Sequence, residues 1–137
     1  MTSLISLQDC FTKGLLKKSE KSINLAVKSL RQAEFFLKES RDLSENKKHM
    51  SLIALYNSYF HAVRSLLYKD GFKERSHFCM ARYFEFEYVK KDKINQKFLH
   101  SFETTMSLRH SIQYSTEKIE ISENIKELIG VLYRLIK

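Results

Sequence analysis

The chain has 137 residues, no proline, only three glycines and two cysteines, and a formal charge of +8 at neutral pH. That length suits a single domain spanning residues 1–137 with its own core. The scarcity of turn residues argues against a sheet protein, whose strands need Gly, Pro, Asn or Asp every few positions. No apolar run approaches the ~18 residues of a membrane span, and no basic segment followed by an apolar run opens the chain. Cys10 and Cys79 lie far apart with no CxxC partner, the usage of a reducing compartment. The expectation is a cytoplasmic protein. The positive charge suits a polyanion such as RNA or a nucleotide, or an acidic partner. The lysines are scattered, however, over Lys17, Lys18 and Lys21, Lys47 and Lys48, Lys73 with Arg75, and Lys90, Lys91 and Lys93. A plain solvated face that keeps the protein soluble is the stronger reading of the charge alone.

In chain order, Ser6-Leu7-Gln8-Asp9 is a capping signal, and Gly14 stands where a short first helix would stop. Ser19 can cap a second helix. Its apolar positions Ile23, Ala26, Val27, Leu30, Ala33 and Leu37 step by three and four, which predicts one buried stripe. Residues 40–48 are polar and read as a loop. A third helix, about 50–69, is apolar on most sides, which places it in the middle of a bundle or in an oligomer interface. Its one polar stripe is Asn57, His61, Arg64 and Tyr68, and Asp70-Gly71 ends it. Ser76 can cap a fourth helix over about 77–90.

A fifth helix, about 94–113, buries Ile94, Phe98, Phe102 and Met106. Arg109 and Gln113 continue that line, so a cation lies in phase with the core face. A last helix over about 122–136 carries Ile125, Leu128, Ile129, Leu132, Leu135 and Ile136. The predicted fold is all-α: an up-and-down bundle of about five or six helices.

Two groups of residues could carry chemistry. The stripe on the third helix is either an ordinary solvent face or a site, and His and Tyr are poor choices for plain solvation. Arg109, with His110 and Tyr114, is the other. A buried arginine needs a partner: either a carboxylate in a structural ion pair, or a phosphate, whose geometry the guanidinium matches. No two histidines among His49, His61, His77, His100 and His110 stand three or four apart, so neither a metal site nor a cofactor is expected.

The stretch Ala54-Leu55-Tyr56-Asn57-Ser58-Tyr59-Phe60-His61-Ala62-Val63-Arg64-Ser65-Leu66-Leu67 resembles a pattern of paired tyrosines, Phe-His-Ala and then Arg-Ala-Leu-Leu. Lys69-Asp70-Gly71-Phe72-Lys73-Glu74-Arg75-Ser76-His77 resembles the turn that follows it. Cys10 through Gly14-Leu15-Leu16-Lys17-Lys18 resembles an entry segment, and Leu108-Arg109 through Tyr114 an Arg-x-x-Ala-Asp-Tyr segment, with Gln113 replacing the Asp. The set is similar to HEPN domains, in a prokaryotic branch of small stand-alone proteins.

The resemblance implies a HEPN-like helical bundle that homodimerises. It also implies a minimal nucleotidyltransferase as partner, in pairs of toxin–antitoxin type, and binding of RNA or nucleotide phosphate through His61, Arg64, His77 and Arg109. Many members of the family are metal-independent endoribonucleases whose signature is an Arg and a later His with four to six residues between them. Here Tyr114 occupies the nearest such position, and a phenol with pKa near 10 is a poor base at neutral pH. His110 points about 100° away from Arg109 on a helix. A binding module is therefore the leading expectation. The alternatives are a ribonuclease toxin built on Arg109, with His110 and Tyr114 as further catalytic candidates, and a non-catalytic helical dimer scaffold.

Overall fold

The computed structural model describes residues 6–136, with the side chain of Ile136 left out. Among these residues it has six α-helices and a two-stranded sheet. The elements are α1 (Leu7–Thr12), β1 (Leu16–Lys18), α2 (Ile23–Leu43), α3 (Lys48–Asp70), β2 (Phe72–Glu74), α4 (His77–Phe84), α5 (Gln96–Tyr114) and α6 (Ile125–Ile136). A π-helical turn, Glu85–Val89, extends α4. No helix among the described residues is long and apolar enough to cross a membrane.

Local chemistry sets most of the boundaries. The Ser6 hydroxyl accepts from the Asp9 amide, while the Asp9 carboxylate accepts from the Ser6 amide, a reciprocal cap that opens α1. Ser76 caps α4 in the same one-sided way that Ser22 caps α2. Ser22 thus does what the sequence assigns to Ser19. The Ser19 amide instead donates to the Gly71 carbonyl at 2.9 Å, because the chain before α2 is extended. Gly71 ends α3 at φ 89°, a left-handed conformation that glycine adopts freely. A Cβ there would also lie 2.9 Å from the Ser19 carbonyl oxygen.

The antiparallel pair β1–β2, with Leu16 opposite Glu74, Lys17 opposite Lys73 and Lys18 opposite Phe72, is an addition to the all-α expectation. Strands of three residues are too short to show a period of two.

The core forms around α3. Leu52, Leu55, Tyr56, Tyr59, Val63 and Leu67 are fully or almost fully buried, against Phe84 and Met80 on one side and Phe98 and Phe102 on another. Each such side chain contributes about 1.5–3 kcal/mol relative to exposure. Between its two open readings, α3 is therefore the middle of the bundle. Its contact with α2 is a seam of small residues, Ser29, Ala33 and Ser40 facing Ser51, Ser58 and Ala62, all buried. Small side chains let the helices lie close, and the serine hydroxyls find carbonyls across the gap. Ser58 Oγ donates to Ala33 O at 2.5 Å, Ser29 Oγ to His61 O at 2.8 Å, and Ser40 and Ser51 exchange bonds of 2.9 and 2.7 Å.

That seam rotates α2 away from its predicted orientation. Ala33 and Leu37 are buried as expected, but Ile23 is 63% exposed, with Val27 and Leu30 also exposed. The polar stretch read as a loop from residue 40 is helical through Leu43. Cys10 and Cys79, read from sequence as two separate thiols, form a disulfide between α1 and α4. They are 69 positions apart in the chain. The β1–β2 pairing brings them together, which spacing alone does not reveal. The cysteine argument for a reducing compartment therefore fails.

Candidate functional site

The polar stripe of α3 faces outward, with Asn57, His61, Arg64 and Tyr68 all half-exposed. At its centre, Phe60 and Tyr68 both lie under the Arg64 guanidinium, at 5.4 and 5.3 Å, in cation–π geometry. Arg64 Nε stands 3.3 Å from Glu74 Oε1 on β2. The two groups pair as charges but are misaligned for a hydrogen bond, and neither buried atom finds another partner among the described residues.

The chain leaves β2, is capped by Ser76, and presents His77 in the first turn of α4. The His77 ring packs 4.5 Å from Phe60, centroid to centroid. Its Nδ1 lies 2.5 Å from the hydroxyl of the otherwise buried Tyr56. Burial holds His77 below the usual imidazole range, and the cations Arg109 and Arg64 push the same way against Glu74. Tyr56 is raised above the ordinary phenol value by burial, which Arg109 partly offsets. A protonated Tyr56 donating to a neutral His77 Nδ1 leaves the ring proton on Nε2.

Arg109 arrives from α5. Its guanidinium carbon sits 4.6 Å from the Tyr56 ring centroid, and Nη1 donates to Gln113 Oε1 at 2.8 Å. The side chain is half-exposed. Among the described residues no carboxylate lies within ion-pair distance of it, and its buried Nε has no hydrogen-bond partner. Of the two partners weighed for this arginine, a carboxylate clasp is not present.

The structure thus brings His77, Arg64 and Arg109 into one cluster with Tyr56, Phe60 and Glu74. His61 sits on the far side of Phe60, stacked on Phe36 at 5.7 Å, with burial and Arg64 lowering its pKa. His110 and Tyr114 pair with each other, rings 4.9 Å apart, as exposed residues. They lie on another side of α5 because consecutive helical residues diverge by about 100°. No three of His, Cys, Asp and Glu converge among the described residues. A cavity of about 360 Å³ beside Ser44, Lys48 and Asn124 is lined by none of the cluster residues.

Sequence reasoning missed Tyr56 and Glu74. Tyr56 had a signal, since a tyrosine on a fully apolar face must find a polar partner for its hydroxyl. Glu74 had a weaker one, being the only acid in the basic stretch from Phe72 to Arg75.

A helical bundle with a cationic, histidine-bearing corner defines a class that sequence comparison makes specific. The family model for the HEPN domain matches residues 26–137, and the chain belongs to the HEPN domain family. The match leaves α1 and β1 outside. No curated protein and no solved structure matches the chain.

Proposed function

We propose that this HEPN domain is a binding module whose Arg109 corner holds a phosphate of RNA or of a nucleotide. The observation that carries the reading is a half-exposed guanidinium that, among the described residues, has no carboxylate clasp and whose buried Nε lacks a partner. Arg64 and His77 flank it. A phosphate oxygen there accepts charge-assisted hydrogen bonds, and Phe60 and Tyr56 keep the cations from being fully hydrated. The module homodimerises and docks a minimal nucleotidyltransferase as a pair of toxin–antitoxin type. Exposed Ile23, Val27 and Leu30 on α2 supply apolar surface for association. The test is binding of a fluorescent RNA oligonucleotide and of a nucleoside monophosphate to the parent and to Arg109→Ala. Affinity falls at least tenfold for both ligands. Unchanged affinity in a folded variant removes the site.

A second reading, an endoribonuclease, is favoured by the Tyr56–His77 contact beside Arg109. The His that follows the Arg in the family signature is missing from α5, but His77 stands near Arg109 through space, against the same Tyr56 ring. In the other tautomer, with Nδ1–H donating to the Tyr56 hydroxyl oxygen, the free Nε2 of neutral His77 would accept the ribose 2′-hydroxyl proton. The 2′-oxygen would bond to phosphorus, and the P–O5′ bond would break as the leaving oxygen takes a proton from solvent water, giving a 2′,3′-cyclic phosphate and a 5′-hydroxyl; the His77 imidazolium then returns its proton to solvent. Arg109 would stabilise the charge on the phosphoryl oxygens. Digestion of RNA by the parent but not by His77→Ala supports this reading, and equal digestion by both removes it.

A further inference from the structure

We infer that the outer face of the β1–β2 ribbon is a track for the phosphate backbone of single-stranded RNA leading to the Arg109 corner. This inference rests on the phosphate-site reading above and extends it to a neighbouring surface. Antiparallel register puts Lys17 directly opposite Lys73. Both are exposed, whereas Leu16 and Glu74, on the alternate face, turn inward. Arg75, two positions beyond Lys73, shares its face and is exposed. It stands about 7 Å further along the strand direction.

None of Lys17, Lys18, Lys73 and Arg75 forms an ion pair among the described residues. Glu74, the acid of the ribbon, is paired with Arg64 on the other face. Like charges placed directly opposite one another in a sheet are destabilising, so this arrangement costs the free protein and is relieved by a polyanion.

The ribbon is also held firmly for so short a pairing. Arg75 N donates to Leu15 O at 2.8 Å, Ser19 N to Gly71 O at 2.9 Å and Ser22 N to Tyr68 O at 2.9 Å, while Cys10–Cys79 joins α1 to α4 beneath it. The lysines are therefore presented at a fixed separation. β2 runs from Lys73 through Glu74, which pairs with Arg64, to His77 three residues on, so the track ends at the cluster. Phosphate contacts of this kind position a strand without reading its sequence.

The test measures binding of an oligouridylate over a salt series, with uridine monophosphate as a second probe. The proteins are the parent, Lys17→Gln/Lys73→Gln, Lys17→Arg/Lys73→Arg, and Arg109→Ala. In the glutamine pair, oligouridylate affinity drops several-fold and the slope of log affinity against log salt falls by about 1.4, at ~0.7 per lost contact. Monophosphate affinity stays at the parent value, the arginine pair keeps both, and Tm does not decrease. If the glutamine pair matches the parent in affinity and slope, the track is overturned, and the lysines serve to guard the ribbon edges from strand addition. If the parent binds no oligouridylate, the inference is overturned in favour of an acidic protein partner. If Arg109→Ala binds both probes like the parent while the glutamine pair loses affinity, the ribbon stands and the Arg109 reading fails.

Discussion

The α2–α3 seam and the Arg109 corner are both polar, yet they treat their polar groups in opposite ways. In the seam each of Ser29, Ser40, Ser51 and Ser58 donates to a carbonyl across the helix interface. In the corner the buried atoms Arg64 Nε, Glu74 Oε1 and Arg109 Nε have no hydrogen-bond partner among the described residues. Buried polar groups are nearly always satisfied in folded proteins. The seam is therefore complete as it stands, and the corner has capacity left over for something outside the chain.

The contrast can be broken at several points, from large effects to small. Ala33→Leu puts bulk into the seam, where overpacking costs about 1–3 kcal/mol, read as a lower denaturation midpoint. Arg109→Ala removes charge-assisted bonds worth about 1.5–3 kcal/mol from a bound phosphate. Affinity then falls roughly 10–100-fold, while the denaturation midpoint moves little. Ser58→Ala removes the hydroxyl bond that the Ala33 carbonyl accepts in addition to its helical one and costs about 1 kcal/mol of stability, with ligand affinity unchanged. His110→Ala and Tyr114→Phe alter affinity less than about twofold, because neither residue reaches the cluster. A loss as large as that of Arg109→Ala in either one, measured in the same binding assay, returns the site to the exposed side of α5.

Acid separates the two regions further. His61 and His77 are both held below the ordinary imidazole value of 6.5, chiefly by burial. The unfolded chain then binds more protons than the folded one as pH drops below 6.5, so stability is complete above that pH and is lost on acidification. A bound phosphate acts in the other direction. It raises the pKa of His77, so the complex takes up a proton and affinity increases as pH falls. Thermal melts and binding titrations across pH 7.5 to 5.5 should therefore show opposite trends. Parallel trends place the titrating histidines away from the ligand.

Much of this was legible in the sequence, for reasons that explain what was not. The caps at Ser6 and Ser76, the stop at Gly71 and the outward stripe of α3 are local signals, written within a turn or two of where they act. The phase of Arg109 with Phe98 and Phe102 also follows from a single helix. Its company does not, because Tyr56, His77 and Glu74 come from three other elements. The exposure of Ile23, Val27 and Leu30 depends on how the serine seam turns α2. Serines that look like solvent residues in the sequence are its buried contact, so periodicity of apolar residues alone found Ala33 and Leu37 but misplaced the N-terminal half of the stripe. The ribbon and the Cys10–Cys79 bridge arise from pairing between distant segments, which no local pattern encodes.

The most direct test follows the side-chain NMR signals of Arg109 Nε and His77 while uridine monophosphate is added. The Arg109 Nε–H resonance should shift with saturation and gain protection from exchange. The His77 titration midpoint should rise, and the signals of His110 should stay in place. An Arg109 Nε–H resonance that does not respond at ligand concentrations where binding is detected by another method would contradict phosphate recognition at this corner.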